Sequence, residues 1–297
     1  MPHRPAILES RFRDILRKTA DFLDAIKVSH SVFALPFAIS AAFLAAGGLP
    51  PLALLGKAAL AVVLARTAAM AFNRWADARI DGENPRTRDR AVPAGRISRA
   101  SMGLASLAAA AGFVLVALWI HPLAFQLSPI VLGVLFGYSY TKRFTSLSHL
   151  VLGAALGLSP LGAWVAVREE IGLLPAVLGL AVLFWTAGFD IIYACQDHDF
   201  DRSAGLHSIP RRLGVARALV VSRIFHAAAI LLLVLVGFLG SLGAVYAVGV
   251  AAVAVLIVYE HSLVRAGDLS RVNLAFFTLN GLVSLVFMAA VVLETVI

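Results

Sequence analysis

Long apolar stretches separated by short polar segments make up most of this chain. Nine stretches have about the 20 residues that a helix needs to cross the hydrocarbon core of a bilayer. Proline and glycine separate several of them, as in Gly47–Pro51 and at Gly240-Ser241. The pattern predicts an all-α, polytopic membrane bundle of nine transmembrane helices, near residues 29–47, 52–73, 102–120, 123–141, 147–166, 173–195, 218–238, 242–261 and 273–295.

The composition supports this class. Of the 297 residues, 60% are hydrophobic and 14% are charged, whereas a soluble domain carries about 25% charged residues. We therefore interpret residues 1–297 as one membrane domain with a cytoplasmic N-terminal segment over residues 1–28. That segment is too polar for a secretory signal, so the first span is expected to stay in the protein. Cys195 is the single cysteine, which excludes an internal disulfide and a cysteine-based metal site.

The basic residues indicate how the spans are oriented. Of the 25 Lys and Arg residues, all but Lys57, Arg66 and Arg168 lie at one side of the predicted bundle. The positive-inside rule makes this side cytoplasmic, with the N-terminus inside and the C-terminus outside. The net charge of +8 is spread through these short loops, so no nucleic-acid partner is predicted. We expect a multi-pass protein of the inner (cytoplasmic) membrane, in contact with the lipid bilayer.

Two acidic clusters interrupt the apolar pattern, both on the predicted cytoplasmic side. The first follows span 2 at a spacing of i, i+4 and i+8, and the second follows span 6 at i, i+7 and i+11, so each occupies one face of a continuous helix. Carboxylates at the end of a membrane helix are costly unless they bind something. Their oxygen atoms suit Mg²⁺, which shares such ligands with substrate phosphates. The clusters are Asn73, Asp77 and Asp81, and Asp190, Asp197 and Asp201.

Cationic residues flank both clusters. Arg86 and Arg90 follow the first cluster at a helical spacing, and Lys142 and Arg143 end span 4. Guanidinium groups bind phosphate through paired hydrogen bonds, and an ammonium acts as a point charge. Arg66 lies deeper in span 2, on the face of the first cluster, where a charged side chain normally points into an interior cavity. The sequence therefore predicts one shared site for divalent cations and a polyanion, facing the cytoplasm.

These motifs resemble those of the UbiA superfamily of intramembrane aromatic prenyltransferases, over nearly the whole chain. The family pattern Asn-x3-Asp-x3-Asp is present at residues 73–81, Tyr-x3-Lys-Arg at 138–143, and Asp-x2-Tyr-x3-Asp-x3-Asp at 190–201. The segments Asn84-Pro85-Arg86-Thr87 and Arg90-x2-Pro93-x-Gly95 match the loop of the family. Together the motifs are highly specific.

The resemblance implies transfer of a polyprenyl group from polyprenyl pyrophosphate to the ring of a hydroxylated aromatic acid, in ubiquinone or menaquinone biosynthesis. It implies that Mg²⁺ is the cofactor and that it is held by Asn73, Asp77, Asp81, Asp197 and Asp201. The substrate-binding residues are expected to be Arg86, Arg90, Lys142 and Arg143 near the pyrophosphate, and Arg66 near the acceptor carboxylate. Asp190, Tyr138 and Tyr193 are expected beside the reacting carbon, with Asp190 as a candidate base.

The acceptor and the protein class have alternatives. Residues 26–38 resemble a sister branch that includes enzymes prenylating a dihydroxynaphthoate. Since this acid and 4-hydroxybenzoate both carry a carboxylate, Arg66 does not separate them. Other members of the family prenylate haem, chlorophyllide or glycerol phosphates. A polytopic transporter would also carry intramembrane charge, with midplane sites and broken helices, whereas a structural subunit would leave the carboxylates without a purpose.

Overall fold

The computed structural model describes residues 16–297, and in this part the regular structure is helical apart from a β-bridge between Arg265 and Asp268. Helices suit an apolar medium, because every backbone N–H and C=O then has a partner within its own segment. Nine helical segments in the described part are long and apolar enough to cross a membrane, which confirms the predicted fold class. Spans 1 to 9 are Leu16–Ala46, Leu52–Ala76, Arg99–Ile120, Pro122–Thr141, Ser148–Arg168, Leu173–Ser203, Val215–Leu239, Ala244–Leu263 and Leu274–Val296.

Three of these spans are not single α-helices. Span 1 contains the 3₁₀-helix Val28–Phe33 before the α-helix Leu35–Ala46. Span 6 consists of the helix Leu173–Ala194, a 3₁₀ turn and a short helix, and span 9 begins with a π-helix before the α-helix Asn280–Val296. Short helices outside the spans are Ala78–Glu83 and Ile209–Leu213.

Span 1 differs most from its prediction. A continuous helix was expected over residues 29–47, but the α-helix begins only at Leu35 and has 12 residues. Proline at position 36 explains the late start, because proline fits the first turn of a helix and disfavours helical backbone before it. Residues 16–25, which belong to the predicted polar N-terminal segment, are helical. Residues 1–15 of that segment lie outside the described part.

The bundle is built mainly from helices that follow one another in the chain, and span 1 closes it. Span 1 packs on spans 5 and 9, while spans 5, 6 and 7 pack successively on one another. The largest buried cluster takes side chains from span 1 and from spans 5 to 9, and within it Phe37 contacts the rings of Trp185 and Phe287 at centroid distances of 5.0 and 5.1 Å. This side of the bundle is well filled, and the cavity described below lies on the side of spans 2 to 6.

Glycines allow spans 5 and 6 to approach closely. A Cβ atom on Gly153 would lie 2.2 Å from the carbonyl oxygen of Leu183, and one on Gly157 would lie 2.5 Å from that of Gly179. Small residues at helix contacts are typical of membrane bundles, where close backbone packing replaces the hydrophobic driving force. The contact fixes the position of span 6, which carries the second acidic cluster.

Gly153→Ala tests this close contact. Because the obstructing atom belongs to the backbone, the two spans must separate, and we expect a loss of about 1–3 kcal/mol in the free energy of unfolding. Gly162→Ala, in the same helix, meets no atom within 4 Å and should not destabilise the protein. Unfolding in detergent measures both variants, and equal stability of the two would contradict the packing described here.

Candidate active site

A cavity of about 530 Å³ lies mainly between spans 2 to 6, and Phe33 of span 1 and Phe276 of span 9 complete its lining. Its walls follow span 2 from Ala58 to Asn73, a distance of about 22 Å at the helical rise per residue. One end is polar and receives both acidic clusters, whereas the rest is lined mostly by apolar side chains of spans 2 to 6. The structure thus brings two motifs that lie far apart in the sequence to one end of one cavity.

Both acidic motifs lie where a spanning helix is interrupted. Span 2 ends at Ala76, and after Asp77 the chain forms the six-residue helix Ala78–Glu83. Span 6 is interrupted in the same way, with Asp197 before the six-residue helix His198–Ser203. The two aspartates have nearly equal backbone angles, φ −96° and ψ 5° at Asp77 and φ −98° and ψ 4° at Asp197. These angles belong to the sparsely populated bridge region, in which many active-site residues are found.

The interruptions correct one prediction. The spacings were expected to arrange each cluster as a stripe on a continuous helix, but neither helix continues through its motif. All six predicted members still line the cavity, because the chain bends around its polar end. Asp199, between Asp197 and Asp201 in the chain, is fully exposed, and its Oδ1 lies 2.8 Å from Nδ1 of the neighbouring His198.

The carboxylates of the first motif are buried and bound by cations. Asp77 accepts a hydrogen bond from Asn73 Nδ2 at 2.9 Å, and its Oδ2 lies 2.7 Å from Lys142 Nζ. Arg90 Nη1 donates to both carboxylate oxygens of Asp81, at 2.8 and 3.0 Å. Ion pairs compensate the cost of burying these charges. The predicted cations thus lie directly against the predicted acids.

Asp197 joins the second motif to the loop after the first. Its carboxylate accepts hydrogen bonds from the Arg86 guanidinium, including one from Nε at 2.8 Å, and from Asn84 Nδ2 at 3.0 Å. Arg86 Nη1 also donates to the Tyr193 hydroxyl at 2.8 Å. Burial alone would lower the pKa of Arg86, but the hydrogen bonds and charge of Asp197 outweigh burial, so the pKa is raised. Arg86 is therefore a permanent cation that links the two motifs.

Asp201 and Asp190 have neutral or titratable partners. The Ser208 hydroxyl donates to Asp201 Oδ2 at 2.7 Å. His149 Nδ1 lies 2.7 Å from Asp190 Oδ2, and the backbone N–H of Ile209 donates to His149 Nε2 at 3.4 Å. With Nε2 accepting, Nδ1 carries the hydrogen of the neutral imidazole and donates a hydrogen bond to Asp190 Oδ2. Asp190 is thereby held by a side chain on span 5.

Arg66 occupies the deeper part of the cavity, as the sequence predicts. Its Nη2 donates to the backbone carbonyl of Lys27 at 3.1 Å. Its buried Nε has no hydrogen-bond partner. A buried N–H donor without a partner costs free energy, so this guanidinium is prepared to bind an acceptor group in the cavity.

The two predicted tyrosines line the cavity beside these charges. Tyr193 stacks on Phe276 with ring centroids 4.1 Å apart, and the Arg86 cation lies 4.9 Å from the Tyr193 ring. Tyr138 lies on span 4 among the lining residues near Ser139 and Lys142. Aromatic faces of this kind can stabilise a nearby cation.

Arg143 differs from its prediction as a substrate-binding residue. Its side chain is absent from the cavity lining, whereas the adjacent Lys142 is part of it. Arg143 Nη2 instead donates to the Ala76 carbonyl at 2.9 Å and to Asp77 Oδ1 at 3.3 Å. Consecutive residues near a helix end point in different directions, so only one of the pair faces the cavity. Arg143 supports Asp77 from outside.

Several polar residues of the site were not predicted as functional. His149 and Ser208 hold Asp190 and Asp201, and Asn84 holds Asp197. Arg74, which the sequence indicates only as a topology signal, is buried and donates to Asp81 Oδ2 at 3.4 Å and to the Ala25 carbonyl at 3.0 Å. A histidine inside an apolar span was a signal that could have identified His149.

Oxygen donors dominate the polar end. Within residues 16–297, no three His, Cys, Asp or Glu side chains are grouped closely enough to hold a metal ion by themselves. The carboxylates and the Asn73 amide are nevertheless the ligand types that Mg²⁺ prefers, and Mg²⁺ is commonly held by one or two carboxylates together with substrate phosphates. The donor set therefore fits a magnesium ion that binds together with a phosphorylated substrate.

Comparison with known proteins decides the family. The sequence profile of the UbiA prenyltransferase family matches residues 34–282. The chain belongs to this family. It is 34% identical to the 4-hydroxybenzoate octaprenyltransferase of Aromatoleum aromaticum over 254 residues, which cover 85% of each protein. It is 35% identical to the enzyme of that name from Vibrio cholerae over 255 residues, which cover 86% of this chain and 89% of the relative.

Solved structures of UbiA homologues share the fold. The apo structure of the homologue from Aeropyrum pernix superposes with a TM-score of 0.81 at 37% identity, covering 89% of this chain and 98% of that one. A homologue from Archaeoglobus fulgidus bound to DMAPP and Mg²⁺ gives a TM-score of 0.71, covering 92% of this chain and 99% of that one. At 20% identity, the latter similarity shows the fold alone.

This UbiA protein is therefore a polytopic membrane prenyltransferase. Family membership decides against the transporter and the structural subunit. The interrupted helices, which were expected of a transporter, also serve an enzyme, because irregular backbone is tolerated at membrane depth where it lines a cavity.

Lys142 and Arg143 provide a paired test of the site. Because only Lys142 lines the cavity, Lys142→Met should weaken binding of pyrophosphate with Mg²⁺ by about tenfold or more. Arg143→Met removes a partly exposed contact and should weaken it by less than about fivefold. Calorimetric titration of the purified protein compares them, and a larger effect for Arg143→Met would show that this side chain reaches the ligand.

Proposed function

We propose that this UbiA protein transfers a polyprenyl group from polyprenyl pyrophosphate to the ring of a hydroxylated aromatic acid, with Mg²⁺ as cofactor. One observation carries the proposal: the acids and cations of both motifs line the polar end of a single cavity whose other walls are mostly apolar. A substrate that combines a polyanion with a long apolar chain matches both parts of this cavity.

The polar end is suited to the pyrophosphate group. Arg86, Arg90 and Lys142 each bind a carboxylate of the site at 2.8 Å or less. A pyrophosphate that binds with Mg²⁺ would exchange partners with these pairs, so that the cations contact phosphate and the carboxylates contact metal. The proposed magnesium ligands are Asn73, Asp77, Asp81, Asp197 and Asp201. Bound Mg²⁺ would neutralise the negative charge that develops on the leaving pyrophosphate.

The apolar walls are suited to the isoprenoid chain. Ala61 and Val62 on span 2, Ala117 on span 3 and Val131 on span 4 line the cavity away from the charges. Small side chains on span 2 leave room for a flexible hydrocarbon, and burial of its surface favours binding by about 25 cal/mol for each Å² removed from water. The cavity follows span 2 for about 22 Å, which supports a polyprenyl group over a short one.

Arg66 supports an aromatic acid as the acceptor. Its buried Nε, which has no partner, is available for a carboxylate, and the charge-assisted bonds of guanidinium to carboxylate are strong. The curated relatives named above are 4-hydroxybenzoate octaprenyltransferases, which supports 4-hydroxybenzoate and ubiquinone biosynthesis. A dihydroxynaphthoate of menaquinone biosynthesis carries the same carboxylate and remains the alternative.

In the proposed reaction, the allylic C–O bond of the donor breaks and a new C–C bond forms to the aromatic ring. Arg86, Arg90 and Lys142 hold the departing pyrophosphate, and the ring faces of Tyr138 and Tyr193 stabilise the allylic cation. Asp190 is proposed to accept the proton that the ring loses. His149 orients its carboxylate through the 2.7 Å hydrogen bond.

We also propose that the site faces the cytoplasm in the inner membrane. Both motifs lie at the side of the bundle that carries all but three of the 25 Lys and Arg residues, and the positive-inside rule assigns this side to the cytoplasm. In this orientation the N-terminus is inside and the C-terminus is outside. Water-soluble acceptors would then reach the polar end directly, while the isoprenoid donor enters from the lipid.

Two neighbouring aspartates test the assigned chemistry. Asp197→Asn should lower prenyl transfer by about 100-fold or more, because it removes a carboxylate proposed to hold Mg²⁺ at the leaving pyrophosphate. Asp199→Asn changes a carboxylate outside the cavity and should leave the rate unchanged. The assay contains Mg²⁺, a polyprenyl pyrophosphate and, separately, 4-hydroxybenzoate or 1,4-dihydroxy-6-naphthoate. Product in one reaction, abolished by EDTA, identifies the acceptor, and no product from folded protein in either would refute the proposal.

Arg66→Met tests the acceptor contact. Loss of a charge-assisted hydrogen bond should raise KM for the aromatic acid by about 10- to 100-fold, while KM for the prenyl pyrophosphate stays unchanged. An acceptor analogue with an alcohol in place of the carboxylate provides the control, because it should react equally well with both proteins. If the analogue were affected as strongly as the acid, Arg66 would not bind the carboxylate.

A further inference from the structure

Span 9 begins with a π-helix, Leu274–Leu279, instead of an α-helix. Such segments are rare and frequently lie at functional sites. This one carries Phe276, which lines the cavity and stacks on Tyr193 with ring centroids 4.1 Å apart. Phe276 also meets Phe33 and Phe189 edge to face, at 5.6 and 5.4 Å. The π-helix therefore supplies a wall between the site and the aromatic core of the bundle.

A buried amide holds this segment. Asn280, the first residue after the π-helix, is fully buried. Its Nδ2 lies 3.0 and 3.2 Å from the backbone carbonyl oxygens of Ala275 and Phe276, which share one of its two hydrogens. In apolar surroundings a carbonyl oxygen needs a hydrogen-bond donor. The Asn280 amide is that donor for Phe276, which carries the stacked ring, and for the neighbouring Ala275.

Glu260 on span 8 orients the amide. Its Oε1 accepts a hydrogen bond from Asn280 Nδ2 at 2.9 Å. Glu260 is fully buried, its Oε2 has no hydrogen-bond partner, and His226 Nδ1 lies 3.9 Å from that oxygen. An incompletely paired carboxyl group inside a membrane bundle costs free energy and indicates a functional role. Neither Glu260 nor Asn280 is among the cavity-lining residues, so any such role is exerted through other groups.

We propose that Glu260 and Asn280 are positioning residues for prenyl transfer: they hold the π-helix so that Phe276 stays stacked on Tyr193. The contacts continue into the site, because the Tyr193 hydroxyl accepts a hydrogen bond from Arg86 at 2.8 Å. Displacement of Phe276 would free the Tyr193 ring and loosen Arg86 at the pyrophosphate end. The proposal rests on the proposed function only in placing Tyr193 and Arg86 at the reacting group.

The role requires a hydrogen-bond acceptor at position 260 and no charge. Glu260→Gln keeps an oxygen that can accept from Asn280, whereas Glu260→Leu has a similar volume and no acceptor. Tyr246→Phe is a matched control on the same span. It removes the buried hydrogen bond that the Tyr246 hydroxyl donates to the Leu233 carbonyl at 2.7 Å, and this bond is not connected to the π-helix.

Kinetics of prenyl transfer test the proposal. For Glu260→Leu we expect kcat to fall by about 10- to 100-fold, as for a misplaced catalytic group, while Glu260→Gln and Tyr246→Phe keep the wild-type kcat. Thermal unfolding verifies that all variants are folded. A folded Glu260→Leu with wild-type kcat and KM, or a Glu260→Gln as impaired as Glu260→Leu, would overturn the proposal.

A double-mutant cycle separates positioning from a general loss of stability. If Glu260 acts through Phe276, adding Glu260→Leu to Phe276→Leu should lower kcat no further than Phe276→Leu alone. Losses that multiply would show that Glu260 acts by another route and would contradict the proposal.

Hydrogen exchange gives a readout that does not depend on the acceptor. Faster exchange of the backbone amides of residues 274–280 is expected in Glu260→Leu and not in Tyr246→Phe. If the wild-type protein prenylated no aromatic acid, the proposed function would fail. Faster exchange in Glu260→Leu would still support the conclusion that Glu260 and Asn280 hold the π-helix. Unchanged exchange in Glu260→Leu would refute that conclusion.

Discussion

Carboxylates buried in an apolar helix bundle need partners for their charge, and this constraint arranges the polar end of the cavity. Asp77 lies against Lys142 from span 4, and Asp197 lies against Arg86 from the loop after span 2. Removing one partner of such a pair leaves a buried charge that is strongly destabilising. The pairs therefore hold loops from different parts of the chain over the cavity, and the same cations can exchange a carboxylate for a phosphate.

The interrupted helices solve a second problem, which is how a polar site can be built at the end of a membrane span. Asp77 and Asp197, 120 positions apart, share one backbone conformation, and each precedes a six-residue helix. Interrupting the helix at this point turns the chain toward the cavity, where polar side chains can satisfy the backbone groups that the interruption exposes.

The aromatic wall at Tyr193 and Phe276 belongs to both the site and the core. Phe276 contacts Tyr193 on one side and Phe33 and Phe189 on the other. Because packed aromatic rings are not easily displaced, the position of the site depends on how span 9 is held against spans 1 and 6. The buried pair of Glu260 and Asn280 is thus connected to the site through stacked rings, although neither residue lines the cavity.

The sequence by itself determined the class of protein, the number of spans in the described part and the positions of the charged motif residues along them. Each span must satisfy its own backbone within the membrane, so its apolar length is visible locally. The spacing of Asp77, Asp81 and the other motif residues needed no tertiary information, and neither did the intramembrane position of Arg66.

Only the tertiary structure decided the remaining features. It ended the helices at the acidic motifs, turned Lys142 into the cavity and Arg143 away from it, and joined His149 to Asp190 across 41 residues. It also formed the π-helix that bears Phe276. These features depend on contacts between spans that are distant in the chain. Such contacts follow from packing and charge pairing in three dimensions, and no local periodicity encodes them.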